Sequence, residues 1–133
     1  MIVADTNLIA YLLIEGTQTA RAKAVWEKDP RWMLPAIWRS EFLNVLTTSV
    51  RVNVLTLQQA HDTWDIALTI FGQNEVEPDG ADVLEEAARH GLSAYDAQFV
   101  VAALDLDVPL VTSDRRVLAA CVGIAVSPDE FLR

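Results

Sequence analysis

An α/β fold, with a central parallel sheet covered on both faces by helices, follows from two features of this 133-residue sequence. Short apolar runs rich in β-branched residues, such as IVA at 2–4 and PLV at 109–111, alternate with longer helix-length stretches. That alternation is the pattern of strand–helix–strand units, which build parallel sheets. Breakers then punctuate the chain at regular intervals, at Gly16, Pro30, Pro35, Gly72, Pro78, Gly91, Pro109, Gly123 and Pro128.

Read between those breakers, the chain opens with strand 2–5 and helix 7–14, which stops before Gly16. Helix 18–28 ends ahead of Pro30, and strand 32–34 ahead of Pro35. Helix 36–50 carries one apolar stripe at three-and-four spacing, made of Trp38, Phe42, Val45, Leu46 and Ser49. Helix 56–71 runs to Gly72, and helix 79–90 lies between Pro78 and Gly91. These two are candidates for a helical hairpin beside the sheet, with strand 74–76 joining an edge. Helix 94–105 is apolar nearly all round, which makes it a central helix. Strand 109–112, helix 114–121 and a last strand near 124–126 complete the order.

No linker, repeat or low-complexity segment divides the chain, so residues 1–133 read as one domain with enough length for a sizeable core. Hydrophobic residues make up 52% of it, too many for a disordered chain. No apolar run approaches the roughly 20 residues that span a bilayer, and the start, MIVADTN, lacks the marks of a signal peptide. The lone Cys121, in the apolar stretch VLAACV, reads as a small buried hydrophobe. A cytoplasmic protein is expected. The net charge of −9 argues against nucleic-acid binding, but with less force where acids are metal ligands. A basic partner surface would account for what remains.

Four acids stand where acids are unusual. Asp5 and Asp114 each follow a buried-strand pattern, and in an open α/β sheet ligands sit beyond the carboxyl ends of such strands. Glu41 falls within the apolar stripe of helix 36–50, three residues after Trp38 and four before Val45. Unpaired there, a glutamate costs several kcal/mol or takes up a proton. Asp96 shares its helix face with Phe99, Val100 and Ala103. Taken singly, Asp5 and Asp114 could be helix N-caps, and Ser93-Ala94-Tyr95-Asp96 resembles a capping box. Capping leaves lone pairs free, however. Four carboxylates aimed at one place repel unless cations hold them together, which points to a divalent-metal site.

Small polar residues accompany the acids. Thr6, Asn7, Thr112 and Ser113 can orient a carboxylate or a metal-bound water, and Asn44, one turn beyond Glu41, could hydrogen-bond it. His61 and His90 have no zinc-site spacing, and His90, before Gly91, reads as a polar group at a helix C-terminus. Trp26, Trp32, Trp38 and Trp64 read as core or dimer-interface residues rather than a base-stacking platform.

In this order, the stretches Asp5-Thr6-Asn7, SEFLNVL around Glu41, LSAYDAQFV around Asp96, and Thr112-Ser113-Asp114 followed by Arg115-Arg116-Val117-Leu118 resemble the PIN-domain family. They are closest in kind to its small VapC-type members, toxin ribonucleases of toxin–antitoxin pairs. The resemblance implies a three-layer α/β/α sandwich around a mostly parallel sheet, metal-dependent cleavage of RNA, homodimerisation, and inhibition by a cognate basic antitoxin. Oxygen ligands select Mg²⁺ or Mn²⁺. On this likeness Asp5, Asp96 and Asp114 bind the metal directly or through water, and Glu41 binds it directly or orients its water.

Other activities on related scaffolds fit poorly. Aspartyl-phosphate hydrolases and receiver-type phosphoacceptor modules need a second Asp where Asn7 stands and a late Lys, whereas Lys23 and Lys28 both come early. No GxxxxGK[ST] phosphate loop occurs. The remaining alternative is a non-catalytic interaction domain that keeps the fold and binds a partner through its acidic cleft.

Overall fold

The computed structural model describes residues 1–133 as five strands and eight helices. They are β1 (Ile2–Ala4), α1 (Thr6–Leu13), α2 (Thr19–Lys28), β2 (Trp32–Pro35), α3 (Trp38–Arg51), α4 (Leu57–Phe71) and β3 (Glu75–Val76). α5 (Gly80–His90), α6 (Ala94–Leu106), β4 (Leu110–Val111), α7 (Arg115–Ala120), β5 (Ala125–Val126) and α8 (Pro128–Leu132) follow. The strands form one sheet in the order β3-β2-β1-β4-β5, and every pairing is parallel. No helix is long and apolar enough to cross a membrane.

The period-two geometry of strands divides the core. Ile2, Ala4, Trp32, Leu34 and Val111 face one side, where they pack with Leu8 and Ile9 of α1, Val25 of α2, Trp38 and Phe42 of α3 and Phe71 of α4. Val3, Leu110 and Ala125 face the other, against Phe99, Val100 and Ala103 of α6 and Val117 of α7. The result is the three-layer α/β/α arrangement. Six of the aromatic rings on the first side form one chain of contacts. Trp26 meets Trp32 at 5.2 Å between centroids, Trp32 meets Phe71 at 5.8 Å, and Trp38 meets both Phe71 at 6.2 Å and Trp64 at 5.9 Å. Phe42 stacks on Trp64 at 6.4 Å. Trp32 and Trp38 are therefore core residues, Trp26 and Trp64 pack half-buried against them, and these contacts fix the position and rotation of α3, which carries Glu41.

Two expectations about this architecture need correction. α4 and α5 do not pair as a hairpin: α4 belongs to the core on one face of the sheet, while Val83 of α5 packs with Ala97 and Val101 of α6 on the other. The short β3 between them joins the sheet edge parallel to β2, and the chain leaves it toward the opposite face. α8 is the second difference. It begins with Ser127 as N-cap, accepting from the Glu130 N–H at 3.1 Å, and Pro128 in the first turn. Elsewhere the boundaries move by no more than two residues. Thr56, Asp79 and Asp114, read as the first residues of helices, are instead extended N-caps outside them. Cys121 is buried, as expected of a small hydrophobe.

Candidate functional site

From the central β1 the chain winds outward through β2 to β3, then returns to β1's other side and winds through β4 to β5. The winding direction reverses between β1 and β4, and a crevice opens there beyond the strand ends. Asp5 leaves the end of β1 and Thr112 the end of β4, with the Asp5 N–H donating to the Val111 carbonyl at 3.3 Å. The cavity at this point has a volume of about 260 Å³. Its polar wall is Asp5, Thr6, Asn7, Glu41, Asn44, Asp96, Thr112 and Asp114, and its apolar wall is Val45, Phe99, Leu110 and Val117.

All four acids singled out in the sequence, and four of the five small polar residues, thus line one cavity. Ser113 does not: it is exposed and lies outside the wall. Leu110 and Val117 were not singled out by sequence, although each lies within four residues of Asp114.

The caps and the cavity use different oxygens. Asp5 caps α1 by accepting the Leu8 N–H on Oδ1 at 2.8 Å, while its Oδ2 accepts a short hydrogen bond from the Thr112 hydroxyl. The same Thr112 oxygen accepts the Asp114 N–H at 3.0 Å, so one side chain ties the ends of β1 and β4 together. Asp114 caps α7 through Oδ1, which accepts from the Arg116 and Val117 N–H groups at 2.8 and 3.1 Å. Its Oδ2 has no partner in the chain. Glu41 accepts the Thr6 hydroxyl on Oε1 at 2.7 Å, and Thr6 rather than Asn44 is its partner. At the start of α6, Ser93 accepts the Asp96 N–H at 3.1 Å, but the Asp96 carboxylate does not return the bond. Only half of the expected capping box forms, and that carboxylate is left without a protein donor. No fully buried side-chain polar atom lacks a partner, so the spare oxygens open onto the cavity.

Electrostatics couple the acids to one another. Burial pushes the Asp5 carboxyl up to about 6. The bonds from Thr112 and Leu8 oppose that rise, and the charges of Asp114 and Glu41 add to it. Glu41 is also raised, first by burial and then by the charge of Asp96, against the Thr6 hydrogen bond. Asp5 and Glu41 therefore each feel the charge of a neighbouring acid. A site that favours protonation of its own carboxylates favours a bound cation for the same reason.

No three acidic, histidine or cysteine side chains stand close enough to form a complete protein cage for an ion. The donor set is nevertheless wholly oxygen, with no histidine or thiol in the wall. Both histidines lie elsewhere: His61 lines a groove between α3 and α4, and His90 bridges Glu86 and the Ala120 carbonyl. Such a set suits a hard divalent cation that keeps part of its water shell and takes one or two carboxylates directly, as Mg²⁺ does. Asp5, Asp96 and Asp114 are the candidate ligands, with Glu41 direct or through water.

No curated protein sequence matches the chain. Among solved structures it is similar to PAE2754 from Pyrobaculum aerophilum, at 24% identity and a TM-score of 0.76, with 99% of this chain and 96% of that one covered. It is also similar to FitAcB from Neisseria gonorrhoeae (20% identity, TM-score 0.71, 96% and 98% covered). A toxin–antitoxin complex from Klebsiella pneumoniae matches at 20% identity and a TM-score of 0.68, again covering 96% and 98%. These likenesses establish the fold. Residues 2–122 match the family model described as PIN domain, a span that holds all four acids and every strand but β5, and the chain belongs to the PIN-domain family.

Proposed function

We propose that this chain is a divalent-metal-dependent endoribonuclease, acting as the toxin of a toxin–antitoxin pair and held in check by a basic partner protein. The observation that carries the proposal is the set of four carboxylates lining one cavity at the strand-reversal point of a PIN fold. The antitoxin part draws on the likeness to the Klebsiella complex and on the net charge of −9. A homodimer belongs to the same proposal and is checked by sedimentation.

Bound at this site, Mg²⁺ or Mn²⁺ supplies a water of lowered pKa and positive charge against a phosphodiester. The chain's own residues do the positioning. Asp5 is held at both oxygens, by a backbone N–H and by Thr112, so its lone pairs point in fixed directions. Glu41 is aimed by Thr6 from α1, and Asp114 by two amides of α7. Asp96, free of protein donors, can adjust to a metal or its water. The apolar wall of Val45, Phe99, Leu110 and Val117 restricts water around them. The test is cleavage-site mapping on total cellular RNA with the wild-type chain and Asp5→Ala. Discrete sites lost in the variant are expected, and identical patterns from both would sink the proposal.

Thr6 offers a finer test. Thr6→Val removes the hydroxyl that orients Glu41 and should lower kcat about 10-fold or more, as expected for loss of a supporting hydrogen bond beside a metal site. Steady-state cleavage rates check it, and an unchanged kcat would show that Glu41 needs no such support.

Antitoxin inhibition should depend on metal. An arginine fork matches a carboxylate pair, so a cationic segment reaching Asp5, Asp96 or Asp114 competes with the ion for the same oxygens. Inhibition should weaken as Mg²⁺ rises at constant ionic strength, which keeps screening from mimicking competition. Titrating the antitoxin at low and high Mg²⁺ measures this. An inhibition constant indifferent to Mg²⁺ would mean that the antitoxin acts away from the acids.

A further inference from the structure

Cations are scarce in this chain, ten against nineteen acids, and several are already engaged. Arg21 pairs with Asp129, Arg39 with Glu75 and Arg89 with Glu86, while Lys28 donates to the Phe131 carbonyl. Arg115 and Arg116, like Lys23 and Arg51, are not engaged. They are the first two residues of α7, directly after Asp114, both exposed, and neither side chain has an ion pair or hydrogen bond within the chain. They also stand where local physics disfavours them. The start of a helix carries partial positive charge from its free amides and favours acids, not adjacent arginines. Asp114 as N-cap supplies the acid that a helix start favours, so the arginines are tolerated there without adding to the cap.

The cavity explains what they would do there. Its wall holds four acids, so an approaching polyanion is repelled unless cations flank the opening. Asp114 and Val117 of the same helix line that wall, and Arg115 and Arg116 lie between them in sequence, exposed beside it. The leading amides of α7 are taken by the Asp114 carboxylate, so the helix end itself offers an anion nothing. The guanidinium groups do.

We infer that Arg115 and Arg116 are substrate-positioning residues that bind backbone phosphates of the RNA beside the scissile one. The inference rests on the ribonuclease reading above. It assigns the two arginines a role in binding, with no part in the chemistry, and no preference for any base, because phosphate contacts set register rather than sequence.

The test combines kinetics with salt dependence. Initial cleavage rates are measured against RNA concentration for the wild type and for Arg115→Gln with Arg116→Gln. Binding of a short labelled single-stranded RNA is followed by anisotropy over a range of salt, with both chains carrying Asp5→Asn to prevent cleavage. The double variant should raise KM about tenfold with kcat within about twofold, and should flatten the slope of log affinity against log salt by about 1.4, the value for two lost single-strand phosphate contacts. Its melting temperature should hold or rise. Lys23→Gln with Arg51→Gln removes the same charge away from the cavity and should change neither quantity.

Arg115→Lys with Arg116→Lys should keep the salt slope and recover part of the KM. Unchanged KM and slope in the glutamine variant of an RNA-cleaving wild type would overturn the inference and leave the proposed function standing. An equal effect from the control pair, or a KM rise matched by a fall in melting temperature, would also overturn it, in favour of general charge or of structure. A wild-type chain that neither binds nor cleaves RNA would remove both readings together.

Discussion

Stripping divalent metal should reduce RNA cleavage about 10³-fold or more, and added Mg²⁺ or Mn²⁺ should restore it. Metal charge and activation of water are worth several kcal/mol in the transition state, and each 1.4 kcal/mol is about a factor of ten in rate. The wall offers no Lys, Cys or His that could take over as nucleophile or base. Binding should also register without any substrate. An ion that relieves repulsion among Asp5, Glu41, Asp96 and Asp114 binds the folded chain in preference to the unfolded one. Mg²⁺ at about 100 times its Kd then adds about 2.7 kcal/mol of stability. Thermal unfolding in chelator and across a Mg²⁺ titration reads this directly. Full cleavage in excess chelator would eliminate the mechanism, and a melting temperature indifferent to Mg²⁺ and Mn²⁺ would eliminate the site.

Asp5→Asn should abolish cleavage and, in the metal-free protein at pH 7, raise stability by about 2 kcal/mol. The sign follows from linkage. Burial and neighbouring charge raise the folded-state pKa of Asp5 to about 6 from 3.8, so the folded chain holds this proton more tightly than the unfolded chain does. The stabilisation from the protonated form is complete below about pH 4 and is lost as pH rises through about 6. The full shift corresponds to about 3 kcal/mol, and partial solvent access to the residue reduces it to about 2. An amide carries no charge at any pH. The variant should therefore lack this decline between pH 4 and 6 and melt about 8 °C higher at neutral pH. Thermal melts in chelator at several pH values would show it. Asn retains an oxygen for the Leu8 N–H, so the α1 cap survives and the charge is what changes. A variant less stable than wild type at pH 7 would mean that Asp5 serves the fold through its cap and the Thr112 bond, with repulsion a minor effect.

Much of this was legible in the sequence because it depends on local chemistry. β1 and β4 announce themselves as β-branched runs, and the acids after them suggest both helix caps and a site. Asp5 and Asp114 do cap α1 and α7, and both also line the cavity, since a carboxylate has lone pairs to spare. Glu41 was conspicuous because it interrupts an apolar stripe. What failed was relational. Asn44 sits one turn from Glu41 on the same helix, yet the hydroxyl that bonds Glu41 comes from Thr6, and only packing of α1 against α3 brings it there. The α4–α5 pairing was misjudged because a two-residue edge strand decides which face the chain crosses to. α8 carries its start signal in Ser127-Pro128-Asp129-Glu130, but at five residues it is too short to show a helical period. Arg115 and Arg116 became informative only once their lack of partners could be seen.

The hydrogen bond from Thr112 to Asp5 spans 107 residues of sequence, and that span governs when the crevice can be complete. During synthesis Asp5, Glu41 and Asp96 emerge from the ribosome well before Asp114, and β1 has no β4 beside it. Until that last parallel pairing closes, the crevice lacks one wall and the Thr112 clasp. Under the proposed ribonuclease reading, activity would begin only with completion of the sheet.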